Sequence, residues 1–296
     1  MDDLHGRVAV VTGGASGIGK AICRALLGEG TSVVIADIEE PALAETVAEL
    51  TPFGKVTGIE TDVMDAASVD SMAQQVFSTF GACHLLFNNA GVGVSSSIPM
   101  WRTTPNDWKW CFGVNVFGVV HGILSFVPRM IETNEEGVVV NTSSGDGGFA
   151  PMPHASVYAP TKAGVSALTE CLAHQLVEHG TNLRAAVFYP SGGLLATNLF
   201  TSYRNRPAGY AREIPFDVRP PSFEEYRAAR EAAGEVLSLQ DLDELAQLVI
   251  AGVKDGRFII GYGVPEMAEL LKVRADAIGR CELPPDIFAL RRHGTA

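Results

Sequence analysis

Short apolar runs rich in β-branched residues recur through the first two thirds of the chain, and helical patterns separate them. The runs are "RVAVVT" (7–12), "TSVVIAD" (31–37), "KVTGIETD" (55–62), "HLLFNN" (84–89), "GVVVNTSS" (137–144) and "LRAAVFYP" (183–190). Few of them alternate apolar with polar residues, as a strand with one wet face would. Near-continuous apolar strands mark a parallel sheet covered on both faces. Helical periodicity over 17–29, 40–50, 66–80, 105–132 and 156–180 supplies the covering layers. This alternation restricts the chain to an α/β fold with a doubly wound parallel sheet.

After Pro190 the rhythm breaks. Residues 198–226 mix prolines, arginines and aromatics without a clear period. A long irregular stretch inside a compact domain is usually a lid or binding loop. Helical pattern resumes over 238–253, a last apolar run "RFIIG" spans 257–261, and 265–278 is helical again. The expected division is a core domain over 1–263, with a substrate loop at about 191–237. A helical extension over 264–296 packs on the same domain.

The formal charge is −12, without a Lys/Arg cluster. That argues against nucleic acid and anionic membranes as partners and disfavours a strongly anionic substrate. Cys23, Cys83, Cys111, Cys171 and Cys281 are scattered singly, the pattern of buried thiols in a reducing cytosol. The acidic start "MDDLHGRVAVV" lacks the positive region of a signal peptide. The run from Trp110 to Pro128 has no charge over 19 residues, which is membrane-spanning length. Its Asn115, His121 and Ser125, and its place among strand and helix patterns, favour a buried helix instead. A cytoplasmic, non-membrane protein is expected.

"VVTGGASGIGK" links the first strand to the first helix. Gly13, Gly17 and Gly19 allow a tight turn and let backbone, with Ser16 and Ile18, approach a pyrophosphate at the helix's positive end. Asp37 closes the second strand 18 residues beyond Gly19, where an acid accepts hydrogen bonds from ribose hydroxyls. The competing reading of Asp37 is a helix N-cap. No arginine or lysine directly follows to receive a 2′-phosphate, which favours NAD. Asp62, followed by Val63, is expected to end the third strand and reach adenine. These features describe a Rossmann-like site.

Further along, "NNAG" (88–91), Asn115 in "VNVFG", "NTSS" (141–144) and "YAPTK" (158–162) follow in order. With "TGGASGIG" they make the chain resemble the short-chain dehydrogenase/reductase family over residues 7 to about 190. The resemblance implies that Tyr158 exchanges a proton, Ser144 hydrogen-bonds the reacting oxygen, and the backbone at Asn115 holds a relay water. It implies cofactor contacts at Asn89, Ala90, Gly91, Tyr158, Lys162, Pro190, Gly192 and Thr197. It further implies a homodimer or homotetramer paired through 105–132 and 156–180. A plain alternative for Asn115 is a polar residue satisfying a helix distortion beside Gly113.

The spacing of Tyr158 and Lys162 has its own logic. A free phenol ionises near pH ~10, so a base at physiological pH needs about 4 kcal/mol of phenolate stabilisation. An ammonium four residues away lies on the same helix face, and a positive nicotinamide ring would add to it. Lys162 is thus expected to lower the Tyr158 pKa and to hold the nicotinamide ribose. Pro160 fits if the helix begins at about 156–158, because a first turn tolerates a missing N–H.

Two departures stand out. Ser144 lies 14 residues before Tyr158, one more than the family's commonest spacing, leaving Ser143 as a fallback. After the sixth strand, "PSGGLLATN" carries Thr197 two places late. His154 reads as a pocket-wall or surface histidine, since no second ligand stands at metal spacing. Pocket walls are expected from 92–97, 149–154, 189–195, Phe200 and Tyr203. They are mostly apolar or aromatic and imply a small-molecule substrate that is neutral and bulky, a secondary alcohol or ketone of aryl or steroid type. "PMPHASVY", "FVPRM" and the long C-terminal part resemble the subgroup that oxidises benzylic alcohols of aryl ethers. A catalytically idle NAD(H)-binding protein is the alternative. A nucleotide-sugar epimerase would need glycine where Ser16 stands.

Overall fold

The computed structural model describes residues 1–94, 98–190, 192–215 and 219–292. Seven parallel strands form one sheet in the order β3-β2-β1-β4-β5-β6-β7. They are β1 (Val8–Thr12), β2 (Ser32–Asp37), β3 (Val56–Glu60), β4 (Leu85–Asn88), β5 (Gly137–Thr142), β6 (Leu183–Tyr189) and β7 (Ile259–Gly261). The first seven helical elements are α1 (Gly17–Gly28), α2 (Glu40–Leu50), α3 (Ala66–Phe80), α4 (Pro105–Phe112), α5 (Gly118–Thr133), the one-turn α6 (Gly145–Gly148) and α7 (Tyr158–Glu178). Then come α8 (Phe223–Ala232), α9 (Leu242–Lys254), α10 (Val264–Gly279) and α11 (Ile287–Arg292).

Alternate residues of β1 feed two cores. Ala9 and Val11 join Ile22, Leu26 and Val249 on one face, whereas Val8 and Val10 join Val76, Phe126 and Leu176 on the other. Each fully buried branched side chain stabilises such a core by roughly 1.5–3 kcal/mol. β1 pairs with β2 on one side and β4 on the other. The strand order therefore reverses beside the carboxyl end of β1, the place where ligands bind in such sheets.

Several expectations change. β3 is an edge strand and is largely exposed, because only β2 pairs with it. It ends at Glu60, so Asp62 lies in the turn beyond it. The irregular stretch after Pro190 contains helix α8, started by a capping box of Ser222 and Glu225. That S-x-x-E signature was present in the sequence. Cys171 and Cys281 are exposed; only Cys23, Cys83 and Cys111 are buried, and all five are free thiols.

The uncharged run lies in the one described stretch long and apolar enough to cross a membrane, Pro105–Thr133. In the fold it is broken into α4, a π-helical turn Gly113–Phe117 and α5, and packs against α3, α7 and β4.

Candidate active site

The glycine turn is pinned to the β4 signature by Thr12. Its hydroxyl accepts from the N–H groups of Asn89 (3.0 Å) and Ala90 (3.1 Å). Asn89 Nδ2 returns a bond to Thr12 O at 3.1 Å. Gly13 has φ +64°, and a Cβ there would stand 2.8 Å from Ala90 Cα. A Cβ on Gly19 would lie 2.2 Å from the Gly13 carbonyl oxygen. Only glycine allows this turn and helix α1 to approach each other so closely. The Asn89 side chain is thereby committed to holding the turn, with Thr142 Oγ1 also donating to its Oδ1 at 3.3 Å.

A crevice of about 650 Å³ opens over these strand ends. Every residue expected to contact the cofactor lines it: Gly13, Ser16 to Gly19, Asp37, Asp62, Val63, Asn89 to Gly91, Tyr158, Lys162, Pro190, Gly192 and Thr197. At one end the Asp37 carboxylate accepts from Ala15 N (3.0 Å) and Glu39 N (3.1 Å). Burial raises its pKa, and those backbone donors oppose the rise. Helix α2 starts at Glu40 after Glu39, so Asp37 is not its cap. Asp62 turns back to accept from Met64 N at 2.9 Å.

At the other end stand Ser144, Tyr158 and Lys162. Tyr158 opens α7 and Pro160 is its third residue, inside the first turn as the sequence required. The Ser144 hydroxyl accepts from Asp146 N at 3.2 Å, and it favours ionisation of the Tyr158 phenol. Ser143 is turned away: its hydroxyl donates to Lys162 O at 2.8 Å and meets Ser166 Oγ at 2.8 Å. Ser144, and not Ser143, is therefore the serine that acts on the phenol.

Lys162 is 3% exposed. Its Nζ donates to Thr142 O at 2.8 Å and lies 5.6 Å from the Tyr158 ring centroid. Burial lowers the ammonium pKa to about 8. Burial also raises the Tyr158 phenol above its ordinary value, and the Ser144 hydrogen bond only partly opposes it. Burial is the largest influence on the phenol in the chain by itself.

Asn115 is completely buried in the π-helical turn and does not line the crevice. Its Oδ1 accepts from Val92 N at 2.8 Å, while Nδ2 donates to Val92 O (3.0 Å) and Thr161 Oγ1 (2.9 Å). Thr161 Oγ1 in turn donates to Tyr158 O at 2.6 Å. Asn115 thus sits within the helix distortion, but its side chain is spent on Val92 and Thr161, tying the segment after β4 to the tyrosine helix. His154 is exposed and outside the crevice lining.

The crevice is also walled by Val92, Trp110, Phe149, Leu195, Leu199 and Phe200, and by Tyr262, Met267 and Phe288 from the C-terminal part. Met267, Leu270, Ile287 and Phe288 pack on Ala150 as a small core of their own. Nothing in the sequence pattern assigned Trp110 or these C-terminal residues to the site. Tyr203 is absent from the lining, and residues 95–97 and 191 of the expected walls lie outside the described residues.

The family model described as short chain dehydrogenase matches residues 7–207. The C alpha-dehydrogenase of a Sphingobium species is 32% identical over 284 residues, covering 94% of this chain and 87% of the relative. A 3beta-hydroxysteroid dehydrogenase 2 of Eggerthella lenta is 34% identical over 62% of this chain and 70% of its own length. Among solved structures, a short-chain dehydrogenase/reductase from Burkholderia phymatum in complex with NAD aligns at TM-score 0.84 with 34% identity. It covers 97% of this chain and 99% of that one. With the sheet order, the pinned glycine turn and the Ser144–Tyr158–Lys162 group, these matches establish that the chain belongs to the short-chain dehydrogenase/reductase family of oxidoreductases.

Proposed function

We propose that the chain is an NAD-dependent dehydrogenase of neutral, bulky, apolar secondary alcohols of aryl or steroid-like type. The convergence of the Tyr158 phenol, the Ser144 hydroxyl and the Lys162 ammonium at one end of a crevice with Asp37 at the other carries this reading.

The crevice residues fit a dinucleotide. Helix α1 begins without a side-chain cap and without an acid in its first turn. Its first N–H groups are left for an anion such as a pyrophosphate. Asp37 would accept from the adenosine ribose hydroxyls. With Glu39 beside it, a 2′-phosphate would meet negative charge, which supports NAD over NADP. Lys162 would hold the nicotinamide ribose.

Bound NAD supplies the hydride-accepting carbon. The Ser144 hydroxyl donates to the substrate oxygen and orients it. Tyr158, as general base, takes the hydroxyl proton of the alcohol and returns it in the reverse direction. The Lys162 ammonium favours the phenolate against the burial that raises the phenol pKa, and the positive charge of an oxidised cofactor would add to that effect. The backbone of the π-helical turn at Asn115 supports a water that passes the proton toward solvent.

The apolar and aromatic walls support a neutral substrate, and the similarity to C alpha-dehydrogenase and to 3beta-hydroxysteroid dehydrogenase 2 is in keeping with aryl or steroid carbinols. Exposed Phe117, at the end of the π-helical turn, and exposed Leu124 and Ile131 on α5 follow one another at seven-residue intervals, an apolar stripe that supports pairing of two copies through this face; Val177 on α7 is exposed as well. The deciding experiment follows NADH formation with benzylic alcohols of aryl ethers, hydroxysteroids and small charged hydroxy acids. Turnover of either of the first two classes by the wild type, abolished in Tyr158→Phe, is expected. Turnover of the hydroxy acids alone, or equal rates in both proteins, overturns the reading.

A further inference from the structure

The loop after β6 reaches beyond the substrate end of the crevice. Its 3₁₀ segment, Asn198–Asn205, ends against the residue two places past Asp37. There two side chains meet the Glu39 carboxylate. Arg204 Nε donates to Oε2 at 3.1 Å, Arg204 Nη2 donates to Oε1, and Asn205 Nδ2 donates to Oε1 at 2.9 Å.

The guanidinium is braced from the loop side as well. Arg204 Nη1 donates to Thr201 O at 3.1 Å and to Asn198 O at 3.3 Å. Between these anchors and the substrate end, the buried Ser202 hydroxyl accepts from Gly93 N at 3.0 Å and donates to Gly93 O at 3.3 Å. The loop is therefore tied to both sides of the crevice, at Gly93 after β4 and at Glu39 after β2. Asp37, Glu39, Ser202, Arg204 and Asn205 all line that one crevice.

We propose that Glu39, Arg204 and Asn205 form a clasp across the adenosine end of the dinucleotide site, so that the substrate loop itself retains the cofactor. The proposal rests on the reading of the crevice as an NAD site. A two-point Arg–carboxylate pair is the geometry in which such bonds are strongest, and it must open before a ligand beneath it leaves. The same pair sets selectivity in a second way. Arg204 is neutralised by Glu39 and is not free to receive a 2′-phosphate; removing the Glu39 charge frees it.

Stopped-flow displacement of NADH by excess NAD, with equilibrium fluorescence titrations of NADH and NADPH, tests this on wild type, Glu39→Gln, Arg204→Met and the double variant. Both side chains are about one-third exposed, 29% and 31%, so folding is not at stake, and melting temperatures check it. NADH release is expected to be about fivefold faster in each single variant, the size of a ~1 kcal/mol interaction. The double variant should be no faster than the singles, because either change opens the same clasp. The ratio of NADPH to NADH affinity should rise in Glu39→Gln and fall in Arg204→Met, which leaves the Glu39 charge unneutralised. Wild-type release rates in both single variants, or an equal rise of that ratio in both, overturn the clasp while leaving the NAD site intact. A wild type that binds neither dinucleotide removes the NAD reading, and the clasp with it.

Discussion

Asn115 grips Val92 from both sides of one peptide: its side chain accepts from the Val92 N–H at 2.8 Å and donates to the Val92 carbonyl at 3.0 Å. This pair mimics a strand ladder where the chain has left β4. A third bond to Thr161 carries the restraint to the helix of Tyr158. Asn115→Leu would leave the Val92 N–H unpaired and its carbonyl with only the weak Cys111 thiol donor at 3.6 Å. Each such buried group costs about 1–3 kcal/mol, so a loss of roughly 2–4 kcal/mol is expected in urea unfolding. An unchanged midpoint would show that the clamp contributes nothing.

Tyr158→Phe removes the proposed base and keeps the ring among its apolar neighbours. Loss of general acid–base catalysis typically lowers rates by about 10²–10⁴. NADH affinity, measured by fluorescence titration, should change little beside that. A variant retaining more than a tenth of wild-type turnover would contradict proton exchange at this phenol.

Lys162 makes stability depend on pH with a definite sign. In the folded chain burial holds the ammonium pKa down at about 8, against ~10.4 for a free lysine. Between these values the unfolded chain binds a proton that the folded chain does not, so stability rises with pH across that window. Lys162→Met removes this contribution. The wild type should therefore gain stability relative to the variant from about pH 8 to pH 10, as measured by parallel unfolding titrations. A difference that stays flat, or runs the other way, would contradict the burial effect.

Asp37→Asn keeps the shape of the side chain but removes the charged acceptor. Hydrogen bonds to charged groups contribute about 1.5–3 kcal/mol, so NADH affinity should fall roughly tenfold to a hundredfold. NADPH affinity should fall less or rise. Parallel titrations that show equal losses for both would separate Asp37 from ribose recognition.

Leu124 is 65% exposed at the centre of the apolar stripe on α5. Leu124→Arg should shift the protein to a smaller species in light scattering at micromolar concentration. A wild type that is already monomeric would remove the pairing proposal.

The sequence alone determined what local pattern and short spacing encode. β-branched runs require a doubly covered sheet, the glycines of "TGGASGIG" require a close strand-to-helix turn, and the Tyr158–Lys162 interval requires one helix face. Even the position of Pro160 followed from a missing N–H. Tertiary structure decided what depends on the surroundings of a group. Thr12 and Asn89 became the pin between two motifs because β1 and β4 are neighbours only once the sheet is assembled. Ser144, and not Ser143, acts on the phenol, because Ser143 found partners in Lys162 O and Ser166. The phenol and ammonium acquired their pKa directions from desolvation, which no spacing rule contains. Likewise Met267, Phe288 and Arg204 reached the crevice from segments far along the chain, placed there by packing that has no signature in local periodicity.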